Sequence, residues 1–167
     1  GATQIGTSAV AKAAPEGHTI LLVANTFMIH PSLLKTLPYA SLKDLTPITY
    51  AGVTPHTIVV TNDLPVKNLK ELLDLARAKP GTINYGSVGI GTSFHLGTEE
   101  LKKLSGTNMV HVPYKGMGQV LTDLISGNIQ MAFGNTPDAA PLVKEGKLRA
   151  IAVAHPNRVA QLPELPT

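Results

Sequence analysis

An α/β fold, with a mostly parallel sheet and helices on its faces, is what residues 55 to 154 predict. Five short runs rich in Val, Ile and other apolar residues alternate there with four stretches of helical periodicity. Turn residues such as Asn62-Asp63, Pro80-Gly81, Gly106, Gly127 and Gly146 separate them. Strand–helix–strand alternation implies right-handed crossovers and parallel neighbours. Loops rich in Gly, Ser, Thr and Asn then gather at one edge of the sheet, where open α/β sheets hold their ligands.

The rhythm before Pro55 is different. Ser8 to Ala14 reads as a short helix closed by Pro15-Glu16-Gly17. Thr19-Ile20-Leu21-Leu22-Val23 is a continuous apolar run, as in a strand buried on both faces, and puts Asn25-Thr26 at its C-terminal end. Pro31 to Thr46, interrupted by Pro31 and Pro38 and followed by Pro47, reads as a short helix and surface connections, and Ile48 to Val53 as a further strand. A domain boundary is placed near Pro55.

Thr57 to Thr61 opens the regular part as a strand. In the helix Leu69–Ala78, Leu69, Leu72, Leu73 and Ala76 share one face, and Asn68 with Glu71 forms a capping box. Strand Ile83–Tyr85 leads into a helix from Phe94 to Ser105, with Phe94, Gly97, Leu101 and Leu104 as its apolar stripe and Glu99–Lys103 as an outer pair. Met109–Val112 is a strand and Gln119–Ser126 a helix, with Val120, Leu121, Leu124 and Ile125 inward. Ile129–Phe133, a helix from Asp138 to Glu145, and the strand Leu148–Ala154 complete the series.

The stretch Tyr85-Gly86-Ser87-Val88-Gly89-Ile90-Gly91-Thr92-Ser93-Phe94-His95 delivers the chain from a strand onto a helix N-terminus. Such a terminus presents backbone N–H groups and the positive end of the helix dipole. Glycine allows close approach, and the hydroxyls of Ser87, Thr92 and Ser93 add donors. The chemistry suits a carboxylate or phosphate. A tight βα turn with its own N-cap would use the same residues.

Composition narrows the field. With 43% hydrophobic and 15% charged residues the chain is globular, and with 4% aromatics and no Trp it lacks stacking platforms for single-stranded nucleic acid. The net charge of +3 comes from scattered Lys and Arg, which fits a small anion better than DNA. Cysteine is absent, so disulfides, thiolate metal sites and cysteine nucleophiles are excluded. No apolar run reaches the ~20 residues of a membrane span. The ends, Gly1-Ala2-Thr3 and Leu165-Pro166-Thr167, read as cuts inside a longer protein.

Gly86-x-x-Gly89-x-Gly91 is neither the dinucleotide fingerprint nor a Walker loop, which needs Lys before its Ser or Thr. The six histidines show no zinc spacing, so no metal or other cofactor is expected. His95, in the first helical turn, faces the same anion or bonds a loop carbonyl. Lys115, in Tyr114-Lys115-Gly116, neutralises an anion or is simply solvated, and the Asn135 amide can donate to a ligand oxygen. Ser93, His95 and Asp123 contain the residue types of a triad without a nucleophile elbow, and Ser93 and His95 fall on different helix faces. Asp138, Glu145 and Glu164 read as caps or surface decoration, and no paired-carboxylate site is visible.

Several of these motifs in series resemble the Bug family, extracytoplasmic solute receptors of tripartite tricarboxylate transporters. They are Tyr85-Gly-Ser-x-Gly-x-Gly-Thr-Ser-x-His95-Leu96, Val110-His111-Val112-Pro113-Tyr114-Lys115-Gly116, Thr122-Asp123-Leu124-x-x-Gly127, Gly146-Lys147-Leu148-Arg149-Ala150 and Leu162-Pro163-x-Leu165-Pro166-Thr167, with Ala11-Lys12-Ala13-x-Pro15-x-Gly17-x-Thr19 at the start. The resemblance implies a type II periplasmic-binding-protein fold of two lobes. Residues 1–54 would be the C-terminal part of lobe 1, and 55–167 a nearly complete lobe 2.

It further implies a periplasmic, non-enzymatic, monomeric protein that binds a small organic carboxylate and passes it to membrane permease subunits. Nucleic acid is no partner and the protein does not itself span the membrane. The ligand-binding role falls on Ser87, Gly89, Gly91, Thr92, Ser93 and His95, with Tyr114, Lys115 and Asn135 on neighbouring loops and Asn25 and Thr26 from lobe 1. The family's Phe-Asp-Asn is here Phe133-Gly134-Asn135, which makes an amino-bearing ligand less expected. The competing readings are an α/β enzyme acting on a small anion, through Ser93, His95 and Lys115, and a ligand-sensing input to a signalling partner.

Overall fold

The structure, a computed structural model, describes residues 2–167. The chain divides into two units, Gly1–Gly52 with Gly91–Ser93, and Val53–Ile90 with Phe94–Thr167.

In the first unit, α1 (Ala2–Ala11) begins earlier than the sequence suggests, and Thr7 back-bonds to the Thr3 carbonyl at 2.7 Å. Thr19–Val23 forms no strand. Ile20 is 74% and Leu22 84% exposed, because no strand lies beside them among the described residues, and an extended segment without a ladder partner leaves its amides to water. Ile48–Val53 likewise forms no strand. Asn25 and Thr26 therefore open a helix, α2 (Thr26–Leu33), instead of ending a strand; Asn25 stands at the N-cap position without a side-chain capping bond. Phe27 stacks on Tyr39, with ring centroids 6.1 Å apart, and Thr26, His30 and Ser41 are buried with Tyr39.

The second unit is built on one five-stranded sheet. Its elements are β1 (His56–Val60), α3 (Leu69–Ala78), β2 (Asn84–Ser87), α4 (Ser93–Ser105), β3 (Val110–Pro113), α5 (Met117–Ile125), β4 (Met131–Asn135), α6 (Thr136–Lys144) and β5 (Arg149–Ala154). The strand order is β3-β2-β4-β1-β5. β2 runs parallel to β3 and β4, whereas β1 is antiparallel to both β4 and β5. Four strands thus share one direction and β1 opposes them. Reversing β1 carries its first residue, His56, to the edge where β4 and β5 end: His56 pairs with Asn135 and with Ala154.

Alternation along the strands sorts the side chains into two cores. Ile58, Val60, Tyr85, Met109, Met131 and Phe133 pack with Leu72 and Ala76 of α3, and Phe94 and Leu101 of α4 rest against them. On the other face Val59 and Ala132 pack with Val120 and Leu124 of α5 and Ala139 and Ala140 of α6. The closing segment joins this second core through Val159, Leu162 and Leu165, and Val153 N–H bonds the Pro166 carbonyl at 2.9 Å.

The helices are set by the local signals expected. At α3, Glu71 N–H donates to Asn68 Oδ1 at 2.9 Å, and the Glu71 carboxylate returns to the Asn68 amide and the Lys67 N–H. Two details of α4 differ. Its buried position is Thr98, while Leu104 is 79% exposed, because a repeat of 3.6 carries the stripe from Leu101 to Ser105. Glu99 pairs with Lys102 rather than Lys103 because it turns inward to Tyr85. Ile125 of α5 is likewise 41% exposed.

Candidate functional site

The edge at which β2, β3, β4 and β5 end also receives the start of β1, so the N-termini of α4, α5 and α6 all open there. α6 carries Asp138 in its first turn, but α4 begins Ser93-Phe94-His95-Leu96 with no acidic residue to neutralise its dipole. The loop between β2 and α4 turns on two glycines. Gly89 has φ +124° and Gly91 +81°, a region that other residues rarely enter. A Cβ on Gly91 would also stand 2.6 Å from Leu33 Cδ1.

Ser87 ends β2 fully buried. Its Oγ accepts the Gly89 N–H at 3.1 Å and lies 2.6 Å from His111 Nε2, so the side chain ties the loop backbone to β3. The His111 ring stacks on Tyr85, centroids 4.9 Å apart, and meets His95 of α4 at 4.5 Å. Behind them the Tyr85 hydroxyl donates to Glu99 Oε1, which also takes Lys102 Nζ at 2.6 Å. His56 stacks on Phe94, centroids 4.7 Å apart.

Burial lowers the pKa of His111, and the neighbouring His95 and Lys102 lower it further against the opposing pull of Glu99. Burial likewise lowers His56. For Glu99 burial pushes upward, but the bonds from Lys102 and Tyr85 prevail and hold the carboxyl below its ordinary range. On this sheet face burial holds the His111 and His56 rings below their ordinary pKa, and the Glu99 carboxylate is paired with Lys102.

The sequence-derived candidates separate. Ser87 and Asn135 lie on the face covered by α4, in register with the core residues Tyr85 and Phe133, and His95 joins them through His111. The Asn135 amide donates to Asp138 Oδ2 at 2.9 Å. Tyr114 packs with the other core, against α5, where its hydroxyl donates to Asp123 at 2.7 Å; burial first, then Asp123, pushes it up to about 12. Lys115 is exposed. Asp123, held by Tyr114 and Asn128, is on the opposite face of the sheet from His95, so no Ser93–His95–Asp123 triad is assembled. Gly91, Thr92 and Ser93 group with the first unit, as do Asn25 and Thr26, while Gly89 remains with the second.

Sequence reasoning missed His56 and His111. His111 was visible as a strand residue and as part of the Val110–Gly116 motif, with no role attached; the signal lay in its register with Tyr85, which depends on β2 and β3 being neighbours. Among the described residues no group of three His, Asp or Glu could hold a metal ion, and no helix is long and apolar enough to cross a membrane.

The β2–α4 loop, with its positive-φ glycines and a helix start that holds no acid, suits an anion. The comparisons give the family. The model described as tripartite tricarboxylate transporter family receptor matches residues 1–167, and the chain belongs to that family, among Bug-type receptors.

A UPF0065 protein of Bordetella pertussis is 37% identical over 95% of this chain and 49% of its own length. BugT of the same organism is 32% identical over 98% of this chain and 51% of its own length. Among solved structures, the R. palustris protein Rpa4515 with adipate superposes with a TM-score of 0.93 at 33% identity, over 98% of this chain and 55% of that one. MatC from Rhodopseudomonas palustris with bound malate superposes at 0.86 with 28% identity, over 98% and 56%. The chain thus spans about half the length of the curated relatives it matches.

Proposed function

We propose that the full-length protein is a periplasmic, monomeric solute receptor that captures a small organic carboxylate and delivers it, chemically unchanged, to the permease subunits of a tripartite tricarboxylate transporter. Residues 1–54 belong to one lobe and 55–167 make up most of the other, and capture is by lobe closure. The observation that carries this reading is the β2–α4 loop. Its positive-φ glycines and buried Ser87 lead onto a helix whose first turn holds no acid, beside imidazoles rather than carboxylates. Adipate and malate in the two neighbours support a carboxylate as the anion.

In this reading Ser87, Gly89, Gly91, Thr92, Ser93 and His95 surround one carboxylate. Asn135 meets the body of the ligand, and Asn25 and Thr26 contribute from the other lobe. Tyr114 and Lys115 contribute from the loop after β3, where Lys115 lends a positive charge at the rim. Replacing Thr92 or Ser93 by Ala in the full-length protein should weaken carboxylate binding by about 1–3 kcal/mol for each charge-assisted bond lost. Unaltered affinity in both variants overturns the assignment of the loop.

A further inference from the structure

The reversed direction of β1 places His56 at the edge where β4 ends, opposite Asn135 in the ladder. Its ring stacks on Phe94 in the first turn of α4, with centroids 4.7 Å apart and planes 26° from parallel, so the plane of the imidazole is fixed. Among the described residues neither ring nitrogen has a hydrogen bond, and burial lowers the pKa of this half-buried ring without help from any neighbouring charge. The ring therefore offers one N–H and one lone pair. Asn135 gives an amide N–H to Asp138 Oδ2 at 2.9 Å, and its own Oδ1 takes no donor among the described residues.

The strand order sets a polarity along this edge. β3 and β2 end in Lys115 and in the Ser87–Gly89 turn, the side suited to an anion. β4 and β1 bring Asn135, His56 and the Asp138 carboxylate, and no Lys or Arg occurs from Val53 to Thr61 or from Met131 to Val143. Beyond β5, His155 engages the Asn157 backbone, and Arg158 donates to the Pro163 carbonyl at 2.8 Å. β2 and β1 are two strand spacings apart, ~10 Å, a span that the two ends of a short acid bridge with side chains reaching in from both strands. A hydroxyl at the far end meets both polar groups there: it donates to Asn135 Oδ1 and accepts from the His56 N–H. A second carboxylate would face the Asn135 oxygen and the Asp138 charge with no cation to offset them.

We propose that His56, together with Asn135, determines specificity by binding a hydroxyl at the far end of the ligand, so that the preferred ligand is a hydroxy acid with a single carboxylate. This selectivity rests on the carboxylate reading of the β2–α4 loop and adds the chemistry of the ligand's other end.

The test is titration calorimetry of the full-length protein with four acids of equal chain length, hexanoate, ω-hydroxyhexanoate, ω-aminohexanoate and adipate, and with the matching four-carbon set. At the chain length that binds best, the hydroxy acid should bind about tenfold tighter than the plain acid and than the diacid. His56→Phe keeps a ring for the stack on Phe94 and removes the imidazole nitrogens. It should lower the hydroxy acid to the affinity of the plain acid and leave the plain acid unchanged. His56→Gln, which restores a donor and an acceptor, should keep part of the preference. Thermal melting of each variant checks that it is folded.

A diacid or an ω-amino acid bound as tightly as the hydroxy acid overturns the selectivity, and a full preference in folded His56→Phe overturns the role of His56. Either outcome leaves the carboxylate reading intact. Silence of every acid at both chain lengths removes that reading and the selectivity together.

Discussion

Thr57-Ile58-Val59-Val60-Thr61 and Thr19-Ile20-Leu21-Leu22-Val23 offer the same kind of side chains in nearly the same order. The first lies between β4 and β5 and is buried on both faces; the second has no strand beside it and leaves Ile20, Leu22 and Val23 exposed. Intrinsic preference is alike in the two segments, so the difference comes from what stands alongside. A strand is completed by its neighbours, through ladder hydrogen bonds and packing on both faces, and those neighbours are remote in sequence.

The largest effect expected from this contrast is in the core. Leu72→Ala empties a fully buried position beneath the sheet and should cost about 2–5 kcal/mol, whereas Leu22→Ala should change the stability of the 167-residue chain by less than about 0.5 kcal/mol. Urea denaturation of both variants measures it. Comparable losses would mean that Leu22 is packed after all.

A smaller effect separates two glycines of the sheet. A Cβ on Gly86 would stand 2.6 Å from Ile129 Cδ1 and 2.8 Å from Val120 Cγ1, so Gly86→Ala overpacks the α5 face and should cost about 1–3 kcal/mol. At Gly134 the nearest atoms are Ala139 Cβ at 3.7 Å and Val59 Cγ2 at 3.9 Å, and Gly134→Ala should be tolerated. Equal destabilisation in the two variants would contradict the packing described.

The smallest effect concerns pH. Burial lowers the pKa of His56 and His111 in the sheet unit and of His30 in the other unit. The unfolded chain, with histidines near 6.5, then binds protons before the folded one does, so stability falls as pH drops below about 6.5 and levels off under the folded values. Thermal melts from pH 7.5 to 5 should show the decline, and His56→Gln or His111→Gln should flatten it. A melting temperature constant across this range would count against buried neutral imidazoles.

Where structure is local, the sequence makes it legible. Asn68 and Glu71 cap α3 as their spacing indicates, Gly106, Gly127 and Gly146 each take positive φ after a helix, and the alternation from β1 to β5 yields the five strands and four intervening helices. The direction of β1 was not legible, because reversing one strand leaves every apolar run unchanged while moving His56 to the edge where β4 ends. The site divides in the same way. The Ser87–His95 loop stands out by composition alone. The role of His111 depends on β2–β3 register, and the placement of Tyr114 against α5 depends on which face an odd or even strand residue takes. Family motifs name all these positions without saying which of them meet.

The central claim is that the loop between β2 and α4 serves carboxylate capture. Its most direct test is calorimetric titration of the full-length protein with mono-, di- and tricarboxylates, with ATP and NAD as controls and recovery of the ligand afterwards. Tight binding of one acid, recovered intact and abolished or strongly weakened by substitution in the loop, is the result expected. Silence across the acids, or conversion of a bound acid to product, would contradict it.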